Sequence, residues 1–233
     1  MSAADRHCVL LAGGYSHPFT ETGDVLAMLA REAGWHVDRH EEAEPAIDAL
    51  QPDTGLFIAN ALWWSMTQHE KYEADRPQWS RTLGDARLAA VRRFVEDGGA
   101  LLAVHTAVIC WDTQPGWRDL LGGGWRWHHS HHPPMGEARV RLTDAGAALA
   151  PEAAGGFTLV DEVYHGLDPA GDCAILAEAC ADTDFVPVAW LRRVGKGTVA
   201  VDALGHDGRS LRQADHRALL RAVLRRAAEN VAA

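Results

Sequence analysis

Gly98-Gly99-Ala100-Leu101-Leu102-Ala103-Val104-His105-Thr106-Ala107 decides the reading of this chain. A glycine pair precedes five apolar residues, and a histidine stands where the apolar run stops. The run has the length of a strand buried on both faces, and the glycines mark the turn before it. Open α/β sheets place their ligands beyond the carboxyl ends of their strands, which is where His105 falls. Thr106 and Ala107 are small, as a tight strand-to-helix turn requires when it lifts a side chain above the sheet edge. The competing reading is a core histidine bonded to a backbone carbonyl.

The same pattern extends toward the N-terminus. Cys8–Ala12 reads as a first buried strand that stops at Gly13-Gly14. Thr20 is placed to cap a helix of about fourteen residues that turns Val25, Leu26, Leu29 and Ala33 inward and stops at Gly34. Trp35–Val37 and Gly55–Asn60 read as the next strands. Asp85 is placed to cap a helix running to Glu96, with Val91, Phe94 and Val95 inward. Strand and helix alternating through glycine-marked turns predict a doubly wound parallel sheet.

The second half is less regular. Ala138–Leu142 alternates like a strand with one wet face, and Gly156–Val160, Cys173–Ala177, Val186–Leu191 and Gly197–Leu204 read as further strands. Gly195-Lys196-Gly197 is a tight turn between two of them. Leu211–Asn230 reads as a closing amphipathic helix. No repeat, linker or composition break divides the chain, so one domain over residues 1–233 is expected. Trp63–Gly84 is polar and irregular. It reads as a lid or interface arm whose Trp63-Trp64 pair is buried.

The 32 acidic and 22 basic residues leave a net charge of −10, which argues against nucleic acid and an anionic membrane surface as partners. No apolar run reaches membrane-spanning length, the N-terminal residues carry no apolar signal core, and a cytoplasmic protein is expected. Cys8, Cys110, Cys173 and Cys180 form no C-x-x-C pair and read as buried reduced thiols. The 13 histidines and 9 tryptophans are unusual. Trp111, Trp117, Trp125 and Trp127 crowd beside the densest histidine run, either as platforms for sugar rings or as filling for a core or a subunit interface.

Four further segments carry candidate chemistry. His128-His129-Ser130-His131-His132 suggests metal, since neutral imidazole is a common ligand. Adjacent side chains diverge, however, so all four cannot serve one ion, and Pro133-Pro134 makes the segment a loop. Asp161-Glu162-Val163-Tyr164-His165 follows a strand with groups suited to acid–base work, metal binding or holding hydroxyls. Leu204-Gly205-His206-Asp207 again sets a histidine after a buried strand. Gly13-Gly14-Tyr15-Ser16-His17 lacks the spacing of a dinucleotide fingerprint and reads as a ligand-facing loop offering N–H groups and His17.

Taken in order, these segments resemble the trehalose-utilisation (ThuA-like) family over nearly the whole chain. The resemblance rests on the first strand with Gly13-Gly14 and His17 and on Gly98-Gly99 to His105-Thr106-Ala107. It continues through Trp117 to Gly122-Gly123, His128, Asp161-Glu162-x-Tyr164, Pro187-x-Ala189-Trp190, Gly195-Lys196-Gly197 and Leu204-Gly205-His206-Asp207. It implies a flavodoxin-like, mostly parallel sheet of the class I glutamine amidotransferase-like kind. Glutaminases of that superfamily carry a nucleophilic cysteine at the elbow where this chain has His105, and Cys110 comes five residues too late. Two segments depart from the family pattern: the loop with four histidines, and Leu142–Gly146, where a His-Pro pair is common.

Family context then implies a hydrolase, lyase or isomerase acting on a sugar or keto-sugar rather than a cysteine glutaminase. His105, His206 and Glu162 would be catalytic. His17, Trp111, His128, Asp161, Tyr164 and Trp190 would bind substrate. No cofactor is assigned, although a divalent metal such as zinc fits the histidines. A zinc-type metallohydrolase and a non-catalytic sugar-binding or assembly protein are the alternatives. The expected partner is a small sugar, with a homo-oligomer also allowed for.

Overall fold

Apolar runs that cannot face water on either side line up at the centre of this protein. The computed structural model describes residues 6–232. It contains nine strands, β1 (His7–Gly14), β2 (His36–His40), β3 (Thr54–Leu62), β4 (Ala100–Val104), β5 (Gly136–Leu142), β6 (Phe157–Asp161), β7 (Ala174–Cys180), β8 (Val186–Val194) and β9 (Gly197–Asp202). They form one sheet in the order β2-β1-β3-β4-β9-β8-β7-β5-β6. The pairs from β2 to β9 are parallel, and β8, β7, β5 and β6 add on antiparallel. Every residue of β3, β4 and β9 is buried, as expected where helices cover both faces. Along β5 buried and exposed residues alternate, which gives the antiparallel end one wet face. The expected doubly wound, flavodoxin-like, mostly parallel sheet is the fold observed.

Helices α1 (Phe19–Glu32), α2 (Ala43–Asp48), α3 (Arg76–Trp79), α4 (Asp85–Glu96), α5 (Pro115–Leu121), α6 (Asp144–Leu149), α7 (Gly208–Arg212) and α8 (Ala214–Ala232) surround the sheet. Val25, Leu26 and Leu29 of α1 and Val91 and Val95 of α4 enter the core. Two expected caps shift by a residue or two. Pro18 precedes α1, so Thr20 lies inside the helix, and Gly84 precedes α4, so Asp85 is its first residue. The closing helix is two pieces, because the Gln213 backbone leaves the helical region between α7 and α8.

The glycine pair before β4 has a steric cause. Gly98 holds φ at +128°, a conformation that side chains disfavour, and a Cβ on Gly99 would lie 2.4 Å from the Phe94 ring. The segment 63–84 folds back over the carboxyl edge. Trp64 and Met66 pack with Phe19 and Leu62 against Tyr15, Tyr72 and Trp79, while Trp63 joins the main core. All four cysteines are free; Cys8, Cys110 and Cys180 are buried and Cys173 is half-buried. No helix among the described residues is long and apolar enough to cross a membrane.

Candidate functional site

Strand direction brings four separate segments to one place. β1, β4 and β9 run parallel, and four reversals through β8, β7, β5 and β6 leave β6 pointing the same way. The residues just after these four strands therefore meet at one edge. His17 lies three residues beyond β1, His105 directly follows β4, Glu162 directly follows β6, and His206 lies four beyond β9. Each of the four offers a ligand atom, and these atoms all lie within 4.8 Å of one another.

His105 begins a single 3-10 turn, His105–Val108, with φ at +47°. A left-handed conformation at a non-glycine residue costs of order 1–3 kcal/mol and persists only where the surroundings impose it. The surroundings here are a buried ring (2 % exposed) whose Nδ1 lies 3.0 Å from the Ala203 carbonyl oxygen. A carbonyl accepts only, so this bond assigns the proton to Nδ1 and leaves the Nε2 lone pair facing the cluster. The Tyr164 hydroxyl lies 3.0 Å from that Nε2. His17 repeats the logic: its Nδ1 is 3.2 Å from the Tyr15 carbonyl oxygen, and its buried Nε2 has no partner.

Glu162 closes the group. One of its oxygens lies 3.2 Å from His206 Nδ1 and 3.8 Å from His105 Nε2; the other lies 3.9 Å from His132 Nδ1. Burial opposes its charge, but the His206 hydrogen bond and the fields of His132, His206 and His105 outweigh burial and hold the carboxyl down to about 2. Glu162 in turn raises His206. Burial pulls His17 and His105 down to about 4, so both are neutral near pH 7. The centre is rich in lone pairs and poor in protons.

Asp161, next to Glu162, has a different task. It is 1 % exposed and its carboxylate accepts from the backbone N–H groups of Glu162 (2.8 Å), Gly205 (2.8 Å) and His206 (3.3 Å), and from the Ser210 hydroxyl. It ties the loop carrying Glu162 to the loop carrying His206. Tyr164 is buried against His105 with the rings 4.7 Å apart. Trp111, Trp190 and His128 are not among the residues whose ligand atoms cluster. Trp111 is buried edge-on to Trp117, and Trp190 is buried with its indole N–H 2.8 Å from the Leu121 carbonyl oxygen. Neither makes a ring contact or hydrogen bond with the cluster. His128 is exposed.

Two residues not singled out stand near the centre. His132 reaches Glu162, and the Trp125 ring packs edge-on to Tyr164 at 5.3 Å and lies 6.1 Å from His132. Nothing in the sequence distinguishes His132 from the other three histidines of its loop. The distinction comes from the backbone bridge between His131 and His165, which lays the loop beside Tyr164. Cys110 donates to the Ala61 carbonyl oxygen at 3.2 Å, and burial pushes its thiol up to about 12. It is not placed or charged as a nucleophile.

A family model described as trehalose utilisation matches residues 9–226. Solved structures resemble the chain over most of its length. A ThuA-like protein from Parabacteroides merdae aligns with a TM-score of 0.71 at 14 % identity, covering 96 % of this chain and 88 % of that one. One from Bacteroides uniformis aligns at 0.65 and 14 %, covering 97 % and 93 %. A β-galactosidase from Rahnella aligns at 0.59 and 15 %, covering 92 % of this chain and 30 % of that one, a likeness of fold alone. A comparison with curated proteins returns no match.

Proposed function

The chain belongs to the trehalose-utilisation family, and from that premise we propose that it is an enzyme acting on a sugar or keto-sugar at the carboxyl edge of its sheet. The observation that carries this reading is the convergence of His17, His105, Glu162 and His206 from four strand ends onto one point. A glycine-marked loop or a histidine after a strand is common; four such groups within 4.8 Å of one another at the carboxyl edge of the sheet support the reading.

The electrostatics narrow the chemistry. A neutral imidazole pair beside an ionised carboxylate accepts protons and draws on electrophilic atoms. A keto-sugar has an acidic C–H beside its carbonyl, so proton abstraction followed by elimination or isomerisation suits this centre. Hydrolysis by an activated water suits it as well. Tyr164, 3.0 Å from His105 Nε2, is the nearest hydroxyl proton donor. Asp161 is spent on the backbone and is a positioning residue. A cysteinyl thioester has no part in the reading, because Cys110 is buried and protonated.

The test is turnover of a panel of disaccharides and keto-disaccharides followed by NMR of the products. The wild type is expected to convert at least one member. His105→Asn and His206→Asn, each checked for folding by circular dichroism, are expected to lose about 10²–10⁴-fold. Unchanged turnover in both variants, or no turnover of any sugar by the wild type, overturns the assignment.

A further inference from the structure

We propose that His17, His105, His206 and Glu162 bind one borderline divalent transition-metal ion, of which zinc is the type. This rests on the reading of the cluster as the reactive centre and says what occupies it. The donor set is three imidazole nitrogens and one carboxylate oxygen, a mixture that such ions accept and that magnesium or calcium does not favour.

Spacing is the first argument. A tetrahedral ion with ligands at about 2.0–2.1 Å sets its ligand atoms about 3.4 Å apart. Glu162 lies 3.2 Å from His206 Nδ1 and 3.8 Å from His105 Nε2, on either side of that value. All four ligand atoms lie within 4.8 Å of one another.

Outer hydrogen bonds are the second. A metal-binding imidazole usually donates its other N–H to a carbonyl or carboxylate, which fixes the tautomer and aims the lone pair. His105 does so to Ala203 and His17 does so to Tyr15. Both supports come from backbone at the carboxyl edge, so the lone pairs are set by the fold.

Unmet valence is the third. His17 Nε2 is buried without a hydrogen-bond partner, and His206 Nδ1 has only the Glu162 oxygen 3.2 Å away. Among the described residues every ion-pair partner of Glu162 is a histidine, and no lysine or arginine pairs with it. The pairing of Glu162 with His206 accounts for part of the cluster but leaves His17 Nε2 facing it with nothing to bind. One ion satisfies all of these atoms at once. It would supply a Lewis acid for a substrate oxygen or water, and Tyr164 and His132, outside the ligand set, would be left for proton transfer.

The experiment uses untagged full-length protein, stripped with a chelator, reloaded with zinc or cobalt(II), dialysed, and read by elemental analysis and by the visible absorption of the cobalt form. The expected result is one ion retained per chain, with affinity falling by at least about tenfold in His17→Gln and in Glu162→Gln. His129→Gln/His131→Gln is expected to keep the wild-type affinity. No retained ion overturns the inference. So does retention that survives His17→Gln and Glu162→Gln but falls in the double variant, which would place the metal on the exposed loop. Metal bound without sugar turnover would sink the proposed activity and leave the site standing. Sugar turnover by protein that retains no ion on reloading would do the reverse.

Discussion

His105 and His216 are equally withdrawn from water, at 2 % and 0 % exposed, and they meet opposite environments. His216 sits on α8 with Nε2 2.9 Å from an Asp202 oxygen and Nδ1 2.9 Å from the Ser210 carbonyl oxygen. Both acceptors demand an N–H, so the ring is a buried cation. Burial pulls its pKa down, yet the charge and hydrogen bond of Asp202 outweigh burial and raise it. His105 has one nitrogen on a carbonyl and the other aimed into a cluster of lone pairs, and burial wins. A buried histidine is thus structural or reactive according to whether its second nitrogen has been given an acceptor. The His216 network of Asp202, Ser210 and Asp161 is closed, while the His105 cluster is open.

The largest test of this contrast is stability. His216→Ala leaves the Asp202 charge buried and unpaired, and breaking such a pair costs about 3–5 kcal/mol. His105→Gln loses the hydrogen bonds to the Ala203 carbonyl and from the Tyr164 hydroxyl and is expected to cost about 1–3 kcal/mol. Urea unfolding of both variants measures the two. Equal losses would show that the two histidines share one structural role.

Much of this was legible in the sequence, because the site follows the strands. His105 and Glu162 directly follow apolar runs, and His206 and His17 come a few residues after two others, so strand direction alone brings them to the edge. What was hidden depends on partners distant in the chain. Nothing local says that Ser210 and His216 serve Asp161 and Asp202, since both lie in the closing helical stretch. The order of β5, β6 and β7 sets where Glu162 falls, and antiparallel strands can be ordered in several ways. Residue type points Trp111 and Trp190 toward the site, yet burial, which local sequence does not give, sets them in the core.

Acid titration gives a smaller effect with a definite sign. In metal-free protein His105 has a folded pKa of about 4, below its unfolded value of 6.5. Between those two values the unfolded chain binds the proton and the folded one does not, so stability falls as pH drops from 6.5 toward 4. His216 behaves oppositely. Its raised folded value gives stability that is complete below pH 6.5 and is lost as pH rises through that folded value. One pKa unit corresponds to about 1.4 kcal/mol. His105→Gln should therefore lose less stability than the wild type between pH 6.5 and 4.5, by about 1–2 kcal/mol. Parallel urea curves that shift by the same amount in both proteins would refute the neutral, open role of His105.

The smallest expected effect belongs to the loop that looked richest in chemistry. His129 meets Asp168 at 3.1 Å in an exposed pair, and His131 stacks on His165 with rings 5.0 Å apart. Exposed pairs of this kind contribute little, so His129→Gln/His131→Gln should change stability by no more than about 0.5 kcal/mol. The loop is held instead by its one residue that is not a histidine. Ser130 is buried, accepts from the Arg126 N–H at 2.9 Å and donates to the Gly166 carbonyl oxygen at 2.8 Å. Ser130→Ala strands both partners and should cost about 1–3 kcal/mol. If the double histidine variant proves the costlier of the two in urea unfolding, histidine density matters here for a reason the geometry does not contain. If the serine does, convergence in space rather than density in sequence separates the histidines that act from those that sit in water.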